Sequence, residues 1–102
     1  MLTQKKYLKS KSVCKAKFLM PKQAIGDAEF VNIVGDFNHW DVKASPMKKL
    51  KNGGFTIGLD LTSGKEYQFR YLIDGTKWEN DWAADKYVPS PFGDAENSVI
   101  VV

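Results

Sequence analysis

The sequence predicts an all-β fold, a sandwich of seven to eight short antiparallel strands. Three observations carry this expectation. Apolar residues recur with a period of two in several separate stretches. Clusters of turn-forming residues separate those stretches at intervals of about eight to twelve residues, the spacing of hairpin-built β domains. No window shows the 3.6-residue period of an amphipathic helix.

Residues 1–11 are polar, lysine-rich and aperiodic, and are expected to form a flexible basic arm ahead of a domain over 12–102. Cys14, Ala16, Phe18 and Met20 then alternate with Lys15, Lys17 and Leu19, a half-buried strand that Pro21 stops because proline cannot donate to a ladder. After a loop at 23–27, a strand is expected over 28–34, with Val31 and Ile33 facing one way and Asn32 and Val34 the other. The run from Gly35 to Asp41 holds too many turn formers to continue it. A short strand around 48–50 leads into Asn52-Gly53, a pair tolerant of positive φ that favours a tight hairpin. Phe55, Ile57, Leu59 and Leu61 alternate with Thr56, Gly58 and Asp60. Beyond Ser63-Gly64-Lys65, the residues Tyr67, Phe69, Tyr71 and Ile73 form one face of a strand, and Gln68, Arg70 and Leu72 the other. Asp74-Gly75 turns the chain into a short return strand that begins at Trp78. Residues 79–96, with Pro89, Pro91 and Gly93, read as a long ordered loop, and 97–102 close the chain as a β-branched strand. An OB-type barrel is the competing architecture, but those domains usually carry a helix between strands.

Composition narrows the function. The 102 residues are 43% hydrophobic and 13% aromatic, enough for one domain with one core. The longest apolar stretches fall far short of a membrane span, and no apolar segment follows the charged N-terminus as a signal peptide would require. A single cysteine, Cys14, precludes an internal disulfide, and with one histidine besides it leaves too few soft ligands for zinc. These features point to a cytoplasmic, reducing compartment. The net charge of +3 is uneven: seven lysines and no acidic residue precede residue 23, whereas the rest carries eight basic and twelve acidic residues. Basic charge and aromatics are separated in sequence, which disfavours nucleic acid as a partner. The lysines read as a solubilising tail and an edge strand protected from edge-to-edge pairing.

Gly35-Asp36-Phe37-Asn38-His39-Trp40, with Tyr67 to Gly75 and Asn97 to Val101, resembles the family-48 carbohydrate-binding modules. These include the N-terminal domains of isoamylases and glycogen branching enzymes and the glycogen-binding domain of the AMP-activated protein kinase β subunit. The order and spacing of the three motifs agree from about Val13 to Val102. The resemblance implies an immunoglobulin-like β-sandwich whose glycogen-binding members place tryptophans around one sugar site. On this resemblance, Trp40 matches the tryptophan that closes the first motif, and Arg70 falls where the kinase subunit has a sugar-contacting lysine. Trp78 matches a second sugar-stacking tryptophan, Phe92 lies near a leucine that projects into the sugar ring, and Asn97 falls on a sugar-bonding asparagine. Arginine in place of lysine keeps charge and donors but changes their geometry. Trp82 stands where related bacterial sequences usually have proline; it either extends the platform or packs into its loop.

The chemistry agrees with that implication. A hexopyranose presents an apolar C–H face, which a flat indole complements, and a rim of hydroxyls, which fixed donors and acceptors address. Burying about 50–80 Å2 of apolar surface per ring is worth about 1–2 kcal/mol, so several contacts are needed for useful affinity. Trp40 and Trp78 each have an alternative as packing aromatics, and Arg70 and Asn97 as a solvated strand charge and a turn residue. Tyr67, Phe69 and Tyr71 are expected in the core.

Catalysis is not expected. Glycoside cleavage needs two positioned carboxylates, one with a raised pKa, whereas Glu79 with Asp81 and Asp94 with Glu96 fall in polar loops where carboxylates are normally solvated and ionised. His39 has no evident nucleophilic partner. The related enzymes keep their chemistry in a separate barrel domain, which these residues do not contain. The expectation is a stand-alone, non-catalytic module for α-glucan (glycogen, starch or malto-oligosaccharide), with no metal or cofactor, and with a glycogen-metabolising protein as an associated partner. The rivals are a protein-interaction module of the same fold that has lost sugar binding, and a single-strand nucleic-acid binder, whose mark is steep salt dependence.

Overall fold

The computed structural model describes residues 1–91 and 95–102. The described residues form nine strands: β1 Leu2–Tyr7, β2 Val13–Met20, β3 Val31–Gly35, β4 Lys48–Lys49, β5 Phe55–Thr62, β6 Glu66–Ile73, β7 Lys77–Glu79, β8 Lys86–Pro89 and β9 Glu96–Val101. One sheet runs β1-β2-β5-β4; the other runs β3-β6-β9-β8, with β7 added to β6. Every strand pairing is antiparallel. This is an immunoglobulin-like β-sandwich. The only α-helical segment among the described residues is the single turn Lys22–Ile25, and no helix is long and apolar enough to cross a membrane.

The inward faces are those the alternation selects. Cys14, Ala16, Phe18 and Met20 from β2, and Phe69, Tyr71 and Ile73 from β6, are buried with Val31, Ile33, Phe55, Leu61 and Ile100 in one core cluster. Ile57, Leu59 and Tyr67 are only partly buried against it. Aromatic edges organise the centre: Phe69 meets Phe18 and Tyr71 edge-on, at centroid distances of 5.5 and 5.9 Å. Gly35 is set by steric need. A Cβ there would lie 2.4 Å from the Gln68 carbonyl oxygen and 2.6 Å from Phe69 Cβ, so only glycine lets β3 approach β6 at this point.

Two expectations are corrected. The basic arm over residues 1–11 is not free, because Leu2–Tyr7 pairs with β2 as an edge strand. Its side chains are mostly exposed and polar, so hydrophobic period could not reveal it. Backbone pairing and long-range polar ties hold it instead: Leu2 N–H donates to Asp81 and Lys5 Nζ pairs with Asp85, at 2.6 and 2.7 Å. Nor is 79–96 wholly loop. β7 ends at Glu79 and β8 extends the second sheet by pairing with β9.

Candidate functional site

The outward face of the β3-β6-β9-β8 sheet carries the candidate site. In β6 the residues that alternate with the core positions are Gln68, Arg70 and Leu72. Register places Val34 beside Arg70, Val99 beside Gln68 and Trp78 beside Leu72. Val34, Leu72 and Val99 are buried yet lie outside the inter-sheet core cluster, so this face has an apolar floor. Above it opens a cleft of about 880 Å3, lined by Trp40, Arg70, Trp78 and Asn97 together with Asp36 and Gln68, and walled by the segment Pro89 to Pro91.

Each side chain is held by a nameable contact. The Asp36–Asn38 segment is a single 3-10 turn after β3. Asn38 staples it: its Oδ1 accepts from Gly35 N–H, and its Nδ2 donates to the Ile33 carbonyl and to Ser45 Oγ, all at 3.0 Å. The chain then passes through His39 and Trp40, both with φ of 57°. Left-handed backbone costs a non-glycine residue about 1–2 kcal/mol, and such residues persist where the surroundings fix them, often at functional sites. Here the Trp40 N–H donates to the Gly35 carbonyl at 2.9 Å, and indole Nε1 donates to Asp36 Oδ1 at 2.8 Å. The other oxygen of Asp36 accepts from Gln68 N–H at 2.7 Å. One carboxylate therefore ties the tryptophan loop to β6.

Trp78 is placed by the Asp74-Gly75 turn, which folds β7 back on β6 with Trp78 opposite Leu72. Asp74 has φ of 52° and Gly75 of 71°, and Asp74 Oδ1 accepts from the Glu29 and Phe30 N–H groups, closing the turn on the strand β3 entry. Trp78 is 42% exposed, so much of its indole is available. The Arg70 guanidinium lies over its ring, 5.9 Å from the centroid, a cation–π geometry. Arg70 Nε donates to Asn97 Oδ1 at 2.6 Å, and Asn97 Nδ2 donates to Gln68 Oε1 at 3.0 Å. Asn97 is 3% exposed. From this nearly closed position on β9 it braces both Arg70 and Gln68.

Of the five residues singled out in the sequence, four line this cleft, and Phe92 lies outside the described residues, as does Asp94. Trp82 is 59% exposed and does not line the cleft; its N–H meets Met1 sulfur at 3.1 Å. Asp36 and Gln68 were missed. The signals were present: Gln68 is two residues before Arg70 on the same strand face, and Asp36 precedes Trp40 by four across a turn. The carboxylate expectation also needs correction. Asp81 is not solvated but fully buried, accepting from Leu2 N–H, Tyr71 Oη–H and Ala83 N–H at 2.6, 2.7 and 2.7 Å. Glu79 is half-buried and accepts from Asn80 N–H. Asp81 is too enclosed by its partners to reach a glycosidic bond.

An immunoglobulin-like sandwich with two indoles and a braced cation around an outward cleft defines a binding module. The family model for carbohydrate-binding module 48 (isoamylase N-terminal domain) matches residues 26–92, well over half of the chain. The chain belongs to this family and is a carbohydrate-binding module, a non-catalytic class of domain. No curated protein gives a significant match to it.

Proposed function

We propose that the cleft binds α-glucan: glycogen, starch or malto-oligosaccharide. The observation that carries this reading is the convergence of Trp40 and Trp78 with Arg70, Gln68 and Asn97 on one cleft. A glucose ring stacks its C–H face on indole while the arginine and amide groups meet its hydroxyls. The concave shape favours a curved α-linked chain; a flat β-linked ribbon would be served by a coplanar row of aromatics along a sheet. Arg70 shares the Trp78 ring, so sugar uses the exposed remainder of that indole. The resemblance to glycogen-binding modules points to the same polymer class.

Binding of this kind would hold the chain, and a glycogen-metabolising protein associated with it, on the polymer. The buried free thiol of Cys14 fits a reducing, cytoplasmic setting. The test is retention in a native gel containing glycogen. Wild type should be retarded, and the folded Trp40→Ala/Trp78→Ala variant should migrate as in a glycogen-free gel. Retardation should change little with salt because the ligand is neutral. Wild type that runs unretarded would favour a protein-interaction role for the same cleft.

A further inference from the structure

The opposite face of the sandwich carries an independent feature. On the outward side of the β1-β2-β5-β4 sheet, register brings Gln4 and Lys6, Lys17 and Lys15, Gly58 and Asp60, and Thr56 and Lys48 onto one surface. They line a groove of about 620 Å3. Four lysines meet one carboxylate there. Lys15 Nζ lies 3.4 Å from Asp60 Oδ1, while Lys6, Lys17 and Lys48 have no ion pair among the described residues. Gly58, paired with Lys17, leaves the floor bare: nothing lies within 4 Å of a Cβ built on it.

The groove borders an unfinished sheet edge. β4 pairs only with Phe55 and Thr56, so among the described residues no strand pairs with that side of β5 from Ile57 to Thr62. The hairpin fixes which groups are open. Leu50 N–H donates to the Gly54 carbonyl at 2.7 Å, and antiparallel ladders alternate bonded and non-bonded pairs. Thr56 therefore directs its N–H and C=O toward β4, and Gly58 and Asp60, two and four residues on, direct theirs to the open edge. Both residues are exposed.

We propose that this edge and the lysine groove beside it dock an acidic, extended segment of a partner protein, added as a further strand on β5. Backbone pairing to Gly58 and Asp60 supplies the register, as in other strand-addition complexes. Acidic side chains on alternate residues, about 6.8 Å apart, all fall on the outward face. A carboxylate opposite Gly58 has Lys17 across the bare floor and Lys48 along the edge. A second copy of this chain is the wrong occupant, since pairing two such edges would bring their lysines together. The lysines therefore repel self-association, the usual role of edge lysines, and select an acidic strand by charge complementarity.

The test uses a labelled peptide of alternating glutamate and valine and a control of equal charge N-methylated on its glutamates, whose N–H groups face Gly58 and Asp60 in an antiparallel register, so that strand pairing is blocked. Anisotropy reads affinity, and amide chemical shifts map the site. The first peptide should bind saturably with shifts centred on Gly58 to Thr62, and the control at least about tenfold more weakly, since backbone pairing gives strand addition its affinity. The exposed-site variant Lys17→Glu/Lys48→Glu should lose binding while keeping its unfolding midpoint and its behaviour on glycogen gels. Three results would overturn the proposal: no saturable binding, equal affinity for the N-methylated control, or stronger binding to duplex DNA or phosphatidylserine vesicles. The last two would leave a merely basic face. None of these outcomes depends on whether the cleft on the other sheet binds glucan.

Discussion

Arg70 Nε and Asn97 Oδ1 are 2.6 Å apart across β6 and β9, a charge-assisted hydrogen bond that fixes the guanidinium over Trp78. Asn97→Ala removes this bond and the one to Gln68, both made by a side chain in a nearly closed position. The expected cost is about 1–3 kcal/mol of stability, with weaker glycogen retention as well. Arg70→Ala should weaken retention with a smaller stability loss, because Arg70 is only half-buried. Urea unfolding run beside the glycogen gel separates the two effects. Equal stability loss in both variants would show that Asn97 is not the brace.

Asp36 is an exposed carboxylate that acts through others. It accepts from Trp40 Nε1 and from Gln68 N–H, so Asp36→Ala should free the indole to sample other rotamers. Glycogen retention should fall severalfold while stability falls by about 0.5–1.5 kcal/mol, the net worth of such bonds. Trp40 fluorescence, isolated in a Trp78→Phe/Trp82→Phe background because the chain has three tryptophans, gives the local readout: a shift in its emission maximum is expected in Asp36→Ala and not in Asp36→Asn, whose amide oxygen still accepts. Unchanged emission in the alanine variant would remove Asp36 as a positioning residue.

How far the sequence revealed this arrangement depended on whether apolar period or polar pairing builds the element. The faces of β2, β5 and β6 were readable because burial selects every second residue: Phe18, Phe55 and Phe69 could point only one way. Trp40, Arg70, Trp78 and Asn97 were found through their motifs, and the Asp74-Gly75 turn explains how Trp78 returns to the Arg70 face. β1 was invisible because it buries little and is held by Asp81 and Asp85, some eighty residues away. Asp81 was misjudged for the same reason. It follows the polar pair Glu79 and Asn80, but its partners are Tyr71 in the core and Leu2 at the start of β1.

Asp85 links pH to the attachment of β1. Its pKa is lowered from the ordinary 3.8: partial burial opposes ionisation, but the Lys5 hydrogen bond, the Val101 N–H and the Lys5 charge together outweigh it. A carboxyl whose folded pKa is depressed contributes stability above its unfolded pKa and loses it as pH falls through the folded value. The stability gap between wild type and Asp85→Asn should therefore be present at neutral pH and close below pH 3.8. Hydrogen-exchange protection at Leu2 to Tyr7, referred to the intrinsic exchange rate at each pH, should fall in the same range. A gap that persists unchanged at pH 2.5, well under the ordinary carboxyl range, would contradict this.

Tyr71 and Asp81 form a fully buried polar contact at the core. Tyr71 is fully buried, and its hydroxyl donates to Asp81 Oδ2 at 2.7 Å. Asp81 in turn gathers Leu2 N–H and Ala83 N–H on its carboxylate, while its backbone takes Ser98 Oγ and Tyr87 Oη–H as partners. It therefore joins β1, β6, β8 and β9 beneath the loop after β7. Tyr71→Phe keeps the ring's edge contact with Phe69 but deprives a buried carboxylate of one donor, so it should cost about 1–3 kcal/mol at pH 7. Asp81→Ala strands several donors at once and should cost more. Alkaline pH distinguishes this account from simple loss of packing. Burial first, then the charge and hydrogen bond of Asp81, raise the Tyr71 pKa well above its ordinary 10.0. A phenol whose folded pKa is raised contributes stability below its unfolded pKa and loses it as pH climbs toward the folded value. The wild type should then lose stability above pH 10 in a way that Tyr71→Phe does not, and the gap between them should narrow. Urea midpoints at pH 7, 9 and 10.5 measure it, the range chosen to bracket free tyrosine. A gap that stays constant across that range would mean that the Tyr71 hydroxyl ionises alike in the folded and unfolded chain, which would contradict its burial against Asp81.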